Sequence, residues 1–485
     1  MSGMSTNRFL AGEFEPVRAE YTEHDLAVTG TLPDWLDGRY LRNGPNPIAD
    51  VDPDTYNWFT GDGMVHGIRL AGGEALWYRN RWVDSESTQR RLNRQAPDVA
   101  GRSIMRGIGA NTNVIGFGGR TLALVEAGLP CAELSDELET LDVWDFDGTV
   151  RGGYTAHPLE DPVTCELHAV SYHFGMGDKV RYSVIGTDGR LRRHVDITVG
   201  GSPMMHAFSL TESTVVVYDL PVTFDAEAAT TATVPRGVRP LARLAMSALV
   251  GRVPTPHAIA SRLPPGRPGA LPYRWDPDYR ARVGLMPREG DDADVVWIDV
   301  DPCYVYHPLN AHDVVGGVVV DLVVHDRTFD RDRTGPSEGR QHLERWTIDR
   351  ERRTCRRERL WDAAVEFPRM DDRFTGRAHD SGWLVGSEDG GMFGSLLARV
   401  AASGGGPVVR RFADGVTLGE FTFVPRADDA VQGDGAVVGF VTDLAANSTS
   451  LAVLDAQTLE DIASVRLPHR VPAGFHGNWL PTTSQ

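Results

Sequence analysis

Short strand-forming segments separated by tight turns recur along most of the 485 residues, and this recurrence limits what the chain can fold into. The segments are rich in Val, Ile, Tyr, Phe and Trp, and many pair across a G-G or D-G turn as β-hairpins do. Representative segments span residues 64–83, 113–127, 213–222, 294–301, 316–326 and 450–467. A chain of this length is too long to form one ordinary compact hydrophobic core. The pattern predicts an all-β fold, a β-propeller, with a pair of stacked β-sandwich domains as the alternative.

Two segments interrupt this strand pattern. Within the first 60 residues, the Pro- and Asn-rich stretch 41–54 is predicted not to form regular strand. Residues 223–285 form a long insertion, in which residues 240–253 carry apolar side chains at helical spacing and are predicted to form a helix. The apolar positions of that helix are Leu241, Leu244, Ala245, Ala248 and Leu249.

The insertion is also basic in an otherwise acidic chain. No acidic residue occurs between Glu227 and Asp276, where the arginines are Arg236, Arg239, Arg243, Arg252, Arg262, Arg267 and Arg274. A basic amphipathic helix is typical of contact with a membrane or a lipid droplet. The alternative is a helix that packs on the propeller and pairs its arginines with acidic loops.

Charge and cysteine usage exclude several classes of protein. A net charge of −18 without a basic stripe disfavours a nucleic-acid partner. The four cysteines form no C-x-x-C motif, so neither a zinc knuckle nor a thioredoxin-type site is expected. The longest apolar run, residues 314–324, is interrupted by two glycines and an aspartate and is too short to span a membrane. A cytoplasmic protein with reduced thiols is expected.

Four of the 15 histidines share a setting at or near a strand end, beside Pro, Met, Phe or Gly. They are His157, His206, His307 and His476, and consecutive members stand 49, 101 and 169 residues apart. Such spacings match neither a zinc finger nor a zincin, but they suit side chains that converge from different blades on a propeller axis. Four neutral imidazoles without a thiolate favour a borderline divalent metal, Fe(II), Cu or Zn. The alternative for each is a hydrogen-bonded core histidine.

Three glutamates lie in apolar strand contexts, where an unpaired carboxylate would be costly. They are Glu126 in LALVEAGLP, Glu366 in AAVEFPRM and Glu420 in LGEFTFVPR. Metal-binding histidines usually pass their second N–H to a carboxylate or a carbonyl, so these glutamates are candidate partners. The alternative for each is a surface residue at a strand end.

Several motifs resemble those of the carotenoid cleavage oxygenase family, and the resemblance covers nearly the whole chain. The motifs are GRYLRNGPNP (38–47), FTGDGMVHG (59–67), LPYRWDPDYRARVGLMPR (271–288), VYHPLNAHD (305–313) and GFHGNWLP (474–481). The resemblance implies a seven-bladed β-propeller, one domain over residues 1–485, with a helical and loop dome covering its top face. Residues 223–285 would form part of that dome.

The resemblance also implies a site on the propeller axis. One non-haem Fe(II) ion per chain would be held by the four histidines, and each of the three glutamates would hydrogen-bond one of them. Thr112 would crowd an open iron position. A hydrophobic substrate tunnel is expected to be lined by Val125, Met205, Tyr306 and Phe367.

Some histidines and two substitutions need separate treatment. His325 and His469 do not match family ligands and are expected at the surface or in loops. Ala207 follows the second ligand histidine where many relatives have Asp, and His312 stands where many have Tyr or Trp. Both flank ligands rather than supply them, so iron binding is still expected.

The chemistry that the resemblance implies is cleavage of a C=C double bond by O2, giving two carbonyl products without flavin, haem or nicotinamide. Stilbene-cleaving relatives place a phenol-binding lysine directly before the first glutamate, whereas this chain has Val125, which cannot hydrogen-bond a phenolate. A hydrophobic carotenoid or apocarotenoid is therefore the expected substrate, and a stilbene or phenylpropanoid alkene the alternative. A retinoid-type isomerase or hydrolase and a non-catalytic propeller remain open. A bacterial origin and a monomer are expected.

Overall fold

Seven antiparallel sheets form a ring of blades, which confirms the predicted all-β propeller and excludes the pair of sandwiches. The computed structural model describes residues 7–94, 109–150, 153–234, 236–252, 271–336, 338–388, 390–391 and 393–482.

Five blades take their strands from one stretch of chain each, and each strand pairs with the next. In chain order they are blade 2 (Asn113–Phe117, Arg120–Leu124, Cys131–Leu134, Thr140–Trp144), blade 3 (Leu159–Glu160, Leu167–Ser171, Lys179–Ile185, Leu191–Thr198), blade 4 (Ser209–Leu210, Thr214–Asp219, Arg282–Pro287, Val296–Asp299), blade 5 (Pro308–Val314, Gly317–His325, Gln341–Asp349, Thr354–Trp361) and blade 6 (Ala364–Arg369, Ser381–Ser387, Leu396–Ala401, Val408–Arg411).

Blades 1 and 7 join the two ends of the chain and so close the ring. Blade 1 adds Gly477–Pro481 to the N-terminal strands Gly38–Pro45, Gly63–Ala71, Glu74–Trp82 and Tyr21–Glu23. Blade 7 consists of Val416–Leu418, Thr422–Pro425, Gly435–Asp443, Ser448–Asp455, Asp461–Arg466 and, from the N-terminal segment, Ala27–Gly30. Closure pairs Leu41 with Asn478 in blade 1 and Thr29 with Ser464 at the outer edge of blade 7, so residues far apart in sequence meet in both blades.

The insertion lies between the second and third strands of blade 4. It contains the two-stranded sheet Val222–Phe224 with Tyr273–Trp275 and two helices, α2 (Ala226–Thr233) and α3 (Arg239–Leu249). The helix predicted for residues 240–253 is thus confirmed, but it begins at Arg239 and ends at Leu249. Residues 253–270 lie outside the described residues. A further helix, α1, spans the seven residues Glu86–Leu92. Short 3-10 turns span Arg8–Leu10, Gly12–Phe14, Trp58–Thr60, Phe174–Met176, Arg236–Val238, Asp292–Asp294 and Asp372–Phe374.

The prediction that 41–54 avoids strand is wrong for its first residues. Leu41 to Pro45 belong to the buried second strand of blade 1. Proline is tolerated there because Pro45 ends the strand, where a missing N–H costs little. The Asn43 amide donates to the carbonyls of Ala110 and Asn113, so it joins blades 1 and 2 instead of breaking the strand.

The described helices include none that is both long and apolar enough to cross a bilayer. The buried apolar residues form several clusters between neighbouring blades, the largest of which spans blades 3, 4 and 5. This close packing holds the inner strands rigidly around the axis.

Candidate metal centre

The four predicted histidines meet at one point of the propeller axis. Each stands just before the first strand of its blade: His157 precedes Leu159–Glu160, His206 precedes Ser209–Leu210, His307 precedes Pro308–Val314 and His476 precedes Gly477–Pro481. One ring nitrogen of each lies within 4.8 Å of those of the other three. Proline follows His157 and His307 and glycine follows His476, whereas His206 lies between Met205 and Ala207.

The three predicted glutamates orient three of the four rings. The Nδ1 atoms of His206 and His307 lie 2.6 Å from Glu126 and Glu366, and Nδ1 of His476 lies 3.2 Å from Glu420. A carboxylate that accepts a hydrogen bond from Nδ1–H fixes the tautomer in which Nε2 carries a lone pair. Each Nε2 atom therefore faces the centre of the group.

The donor set fits a metal ion. The Nε2 atoms of His206 and His307 are 3.1 Å apart, although each neutral ring already donates its N–H at Nδ1 to a carboxylate and has no proton left on Nε2. Two lone pairs in such contact repel each other, and nitrogens that share an ion at about 2.1 Å and a right angle stand about 3.0 Å apart. Nε2 of His157 is buried without a hydrogen-bond partner in the described structure. A cation satisfies all of these atoms.

Burial keeps the site in the protonation state that a metal needs. It lowers the pKa of His307 to about 4, and burial together with the neighbouring imidazoles lowers the pKa of His157 well below its ordinary value. Burial pushes the pKa of Glu366 up, but the charges and hydrogen bonds of His307 and His325 hold it below its ordinary value. His157 and His307 are thus neutral and Glu366 is ionised at neutral pH.

The prediction that His325 is a surface or loop group is wrong. It ends the second strand of blade 5, is buried, and its Nε2 lies 2.7 Å from the second oxygen of Glu366. The run Val318–Val324 is almost unbroken apolar sequence, typical of a strand buried on both faces, and the burial extends to the next residue. His469, in contrast, lies in a loop as expected, where its ring stacks on Tyr21.

The other two glutamates also have second partners. The Tyr172 hydroxyl donates to Glu126 over 2.8 Å, and burial and the charge of Glu126 raise the pKa of that phenol well above its ordinary value. Glu420 accepts the Gly477 N–H over 2.7 Å and lies 3.4 Å from the Arg369 guanidinium. Sequence reasoning identified none of these donors, because each is joined to its glutamate only by the blade arrangement.

An apolar cavity adjoins three of the ligand candidates on one side. It holds about 20 Å³, room for one small molecule, and its wall includes Trp58, Phe59, Thr112, Tyr306, Phe367 and Phe475 beside His206, His307 and His476. Thr112, Tyr306 and Phe367 were expected near the metal or the substrate. Val125 and Met205 are buried in neighbouring core clusters and do not line this cavity.

Phe367 reaches this wall through an irregular backbone. Its φ of 52° lies in the left-handed region, and the pairing of its strand shifts between Glu366 and Arg369. Such bulges re-aim side chains near active sites. The ring consequently stacks on His307 with centroids 5.5 Å apart, while its N–H donates back to Glu366 over 2.6 Å.

A wider channel approaches the histidines from the opposite side. It holds about 1030 Å³, and first strands of six blades contribute to its wall. Ala207 is among its lining residues, so the small side chain at this position leaves the channel wider than an aspartate would. His312 is half-buried and does not line it.

Comparison with known proteins agrees with this site and fold. The family model described as retinal pigment epithelial membrane protein matches residues 14–481. The carotenoid cleavage oxygenase of Mycobacterium tuberculosis (strain H37Rv) is 50% identical over 99% of this chain and 98% of its own length. The carotenoid 9,10(9',10')-cleavage dioxygenase 1 of Arabidopsis thaliana is 28% identical over 96% of this chain and 89% of its own length.

Solved structures repeat the architecture. The crystal structure of Pseudomonas brassicacearum lignostilbene dioxygenase is similar with a TM-score of 0.81 and 28% identity, over 98% of each chain. Because the family match extends along almost the entire sequence, it includes the four histidines and the three glutamates. The chain belongs to the carotenoid cleavage oxygenase family.

Proposed function

We propose that this protein is a non-haem Fe(II) dioxygenase that cleaves a C=C double bond of a carotenoid or apocarotenoid with O2, giving two carbonyl products. The observation that carries the proposal is the convergence of four neutral imidazoles, three of them oriented by glutamates, beside an apolar cavity. His157, His206, His307 and His476 would hold the ion. No flavin, haem or nicotinamide takes part.

The protein's own residues have three tasks in this reaction. The glutamates keep three of the imidazoles oriented, while a bound Fe(II) ion would supply the activation of dioxygen. Thr112 stands on the cavity wall beside His476, whose N–H donates to the Thr112 carbonyl over 3.2 Å, and limits the space next to the ion. The aromatic wall excludes water and holds one double bond of the substrate in place.

The apolar wall favours a polyene over a phenol. Its polar side chains are Trp58, Thr112, Tyr306 and three histidines. The Tyr306 hydroxyl is already paired with Thr328, and the histidines are hydrogen-bonded to glutamates. Val125, which does not line the cavity but stands directly before Glu126, offers no hydrogen bond to a phenolate. A phenolic end placed here would lose its hydrogen bonds to water without replacement.

A stilbene or phenylpropanoid alkene is the second candidate substrate. The similarity to the lignostilbene dioxygenase, at 28% identity over the whole chain, favours it. A retinoid-type isomerase or hydrolase is a weaker candidate. The convergence of four histidines and three glutamates argues against a ligand-binding propeller without activity.

Product mass spectrometry under 18O2 tests the proposal. Iron-loaded protein is given an apocarotenal, a full-length carotenoid and a hydroxystilbene in parallel. Labelled aldehydes from a polyene are the expected result and identify the bond that is cut. Labelled benzaldehydes alone would identify the enzyme as a stilbene-cleaving dioxygenase. Conversion of a substrate without incorporation of label would favour isomerisation or hydrolysis.

We further propose that helix α3 touches a membrane or a lipid droplet, from which a polyene substrate is taken. Leu241, Leu244 and Leu249 lie on α3 with 72%, 69% and 53% of their surface exposed. Of its arginines, Arg243 pairs with Glu227, a partner within the insertion and not on a propeller loop. The insertion would form part of the dome of a single-domain, monomeric, cytoplasmic protein that is peripherally bound.

A further inference from the structure

The three site glutamates are each held at both carboxylate oxygens. One oxygen of Glu366 accepts from His307 and the other from His325, at 2.6 and 2.7 Å. One oxygen of Glu126 accepts from His206 and the other from Tyr172, at 2.6 and 2.8 Å. A carboxylate bound at one oxygen can rotate about its terminal bond, whereas one bound at both has a single orientation.

We propose that His325 and Tyr172 are positioning residues of the metal site, which act on His307 and His206 through Glu366 and Glu126. The inference rests on the proposed function, since it assumes that the four histidines hold a metal ion. Neither residue touches the ion or the apolar cavity; each determines the direction in which a ligand lone pair points. Mutation of a residue that orients a metal ligand commonly lowers metal affinity about 10–100-fold.

His325 is itself immobilised, as a positioning residue must be. Its N–H donates to the Tyr304 carbonyl over 2.8 Å and its carbonyl accepts the Tyr304 N–H over 2.9 Å. The edge of the Tyr306 ring packs on the imidazole with centroids 4.9 Å apart. Its strand is hydrogen-bonded on both sides within blade 5. The imidazole therefore holds Glu366 against a rigid frame.

Loss of His325 and loss of the Tyr172 hydroxyl are expected to weaken metal binding to different extents. The Glu366 side chain is completely buried, so no water can replace a lost donor. The Glu126 side chain retains 14% of its exposure, so water can substitute for the Tyr172 hydroxyl. Loss of His325 should thus weaken metal binding more than loss of the Tyr172 hydroxyl.

The structure offers a matched control for His325. His342, in the next strand of blade 5, is equally buried and makes the same bond to a glutamate, Glu344, over 2.7 Å. Glu344 accepts its other hydrogen bonds from Trp346 and Arg357, and none from a metal-site histidine. For Tyr172 the control is Tyr182, whose hydroxyl lies 2.7 Å from Nδ1 of His168, away from the site.

The test is the dissociation constant of Co(II), measured by chelator competition, together with the Co(II) absorption spectrum and the Tm of the metal-free protein. We expect His325→Leu to weaken Co(II) binding about 10–100-fold and to shift the spectrum. His325→Gln, which keeps an N–H donor, should recover part of the affinity. Tyr172→Phe should cost less, and His342→Leu and Tyr182→Phe should lower Tm while leaving affinity and spectrum unchanged.

Different results separate this inference from the proposed function. Wild-type protein that does not bind Co(II) would overturn both. Wild-type binding with unchanged affinity and spectrum in His325→Leu, or equal losses in His325→Leu and His342→Leu, would overturn the positioning role alone. Should His325→Leu not fold, His325→Gln and Tyr172→Phe decide the matter by the same measurements.

Discussion

His206 and His307 face each other through Nε2 atoms 3.1 Å apart, while the Nδ1 atom of each ring is hydrogen-bonded to a buried or half-buried glutamate. Two carboxylates thus hold the rings in an orientation that brings two lone pairs into repulsive contact. Only a cation between them makes the arrangement favourable, and the unpartnered Nε2 of His157 points to the same place.

Loss of one ligand histidine should remove most of the metal. In His476→Ala, three imidazoles remain and Glu420 loses the ring that it orients. We expect less than about a tenth of the wild-type iron after anaerobic loading and desalting, measured by plasma mass spectrometry, and a matching loss of activity. His168→Ala, which removes a buried histidine outside the site, should keep its iron. Full iron content in folded His476→Ala would refute the ligand assignment.

Replacing a site glutamate by its amide should weaken the metal site without abolishing it. Glu366 accepts from His307, His325 and the Phe367 N–H, so the amide nitrogen of Glu366→Gln must face at least one donor. We expect a loss of about 10–100-fold in metal affinity by chelator competition. Glu344→Gln is the control, since Glu344 bonds no metal-site histidine. Equal affinities in wild type and Glu366→Gln would contradict the orienting role.

The metal-free protein should lose stability on mild acidification. Burial lowers the pKa of His307 to about 4 from an ordinary value of 6.5, so between these pH values the unfolded chain binds a proton that the folded chain does not. The free energy of unfolding should be highest above pH 6.5 and fall as the pH approaches 4, by up to about 3 kcal/mol for this group. Urea titrations at several pH values measure this.

A histidine outside the site provides the internal control for that pH dependence. Burial also lowers the pKa of His168 to about 4, so His168→Gln should reduce the slope by the share of one histidine. Added Co(II) should stabilise wild type and His168→Gln equally at pH 7, because the metal binds only the folded state. A free energy of unfolding that stays constant from pH 7 to 4.5 would show that these buried imidazoles do not resist protonation.

Local sequence was sufficient to identify the ligand candidates because each has its own signal. His307 is followed by proline and His476 is framed by aromatic and glycine residues, so each is recognisable as a residue at the entrance of a strand. The family motifs then placed the glutamates and the seven-bladed ring. Leu41 to Pro45 were misread because proline and asparagine disfavour strand on average, whereas here the proline ends the strand and the asparagine side chain is used between blades.

The outer donors could not be predicted in the same way. His325 meets Glu366, and Tyr172 meets Glu126, only because neighbouring blades bring them together across 41 and 46 residues. The apolar run Val318–Val324 indicates that His325 ends a buried strand, but nothing in the sequence identifies Glu366 as its partner. Its role depends on the pairing of three strands in blade 5 and on its isolated bridge to Tyr304, which are properties of the tertiary structure.

Helix α3 should bind vesicles through its exposed leucines. Wild-type protein is expected to float with vesicles of phosphatidylcholine and phosphatidylglycerol in a density gradient. The double variant Leu241→Ser/Leu244→Ser should reduce the bound fraction about tenfold or more, because each leucine that enters the lipid contributes about 1.5–3 kcal/mol. Leu76→Ser, which alters a leucine that is 40% exposed on a strand of blade 1, is the control and should float like wild type. Wild-type protein that floats with neither neutral nor anionic vesicles would leave α3 as a solvent-exposed helix of the insertion.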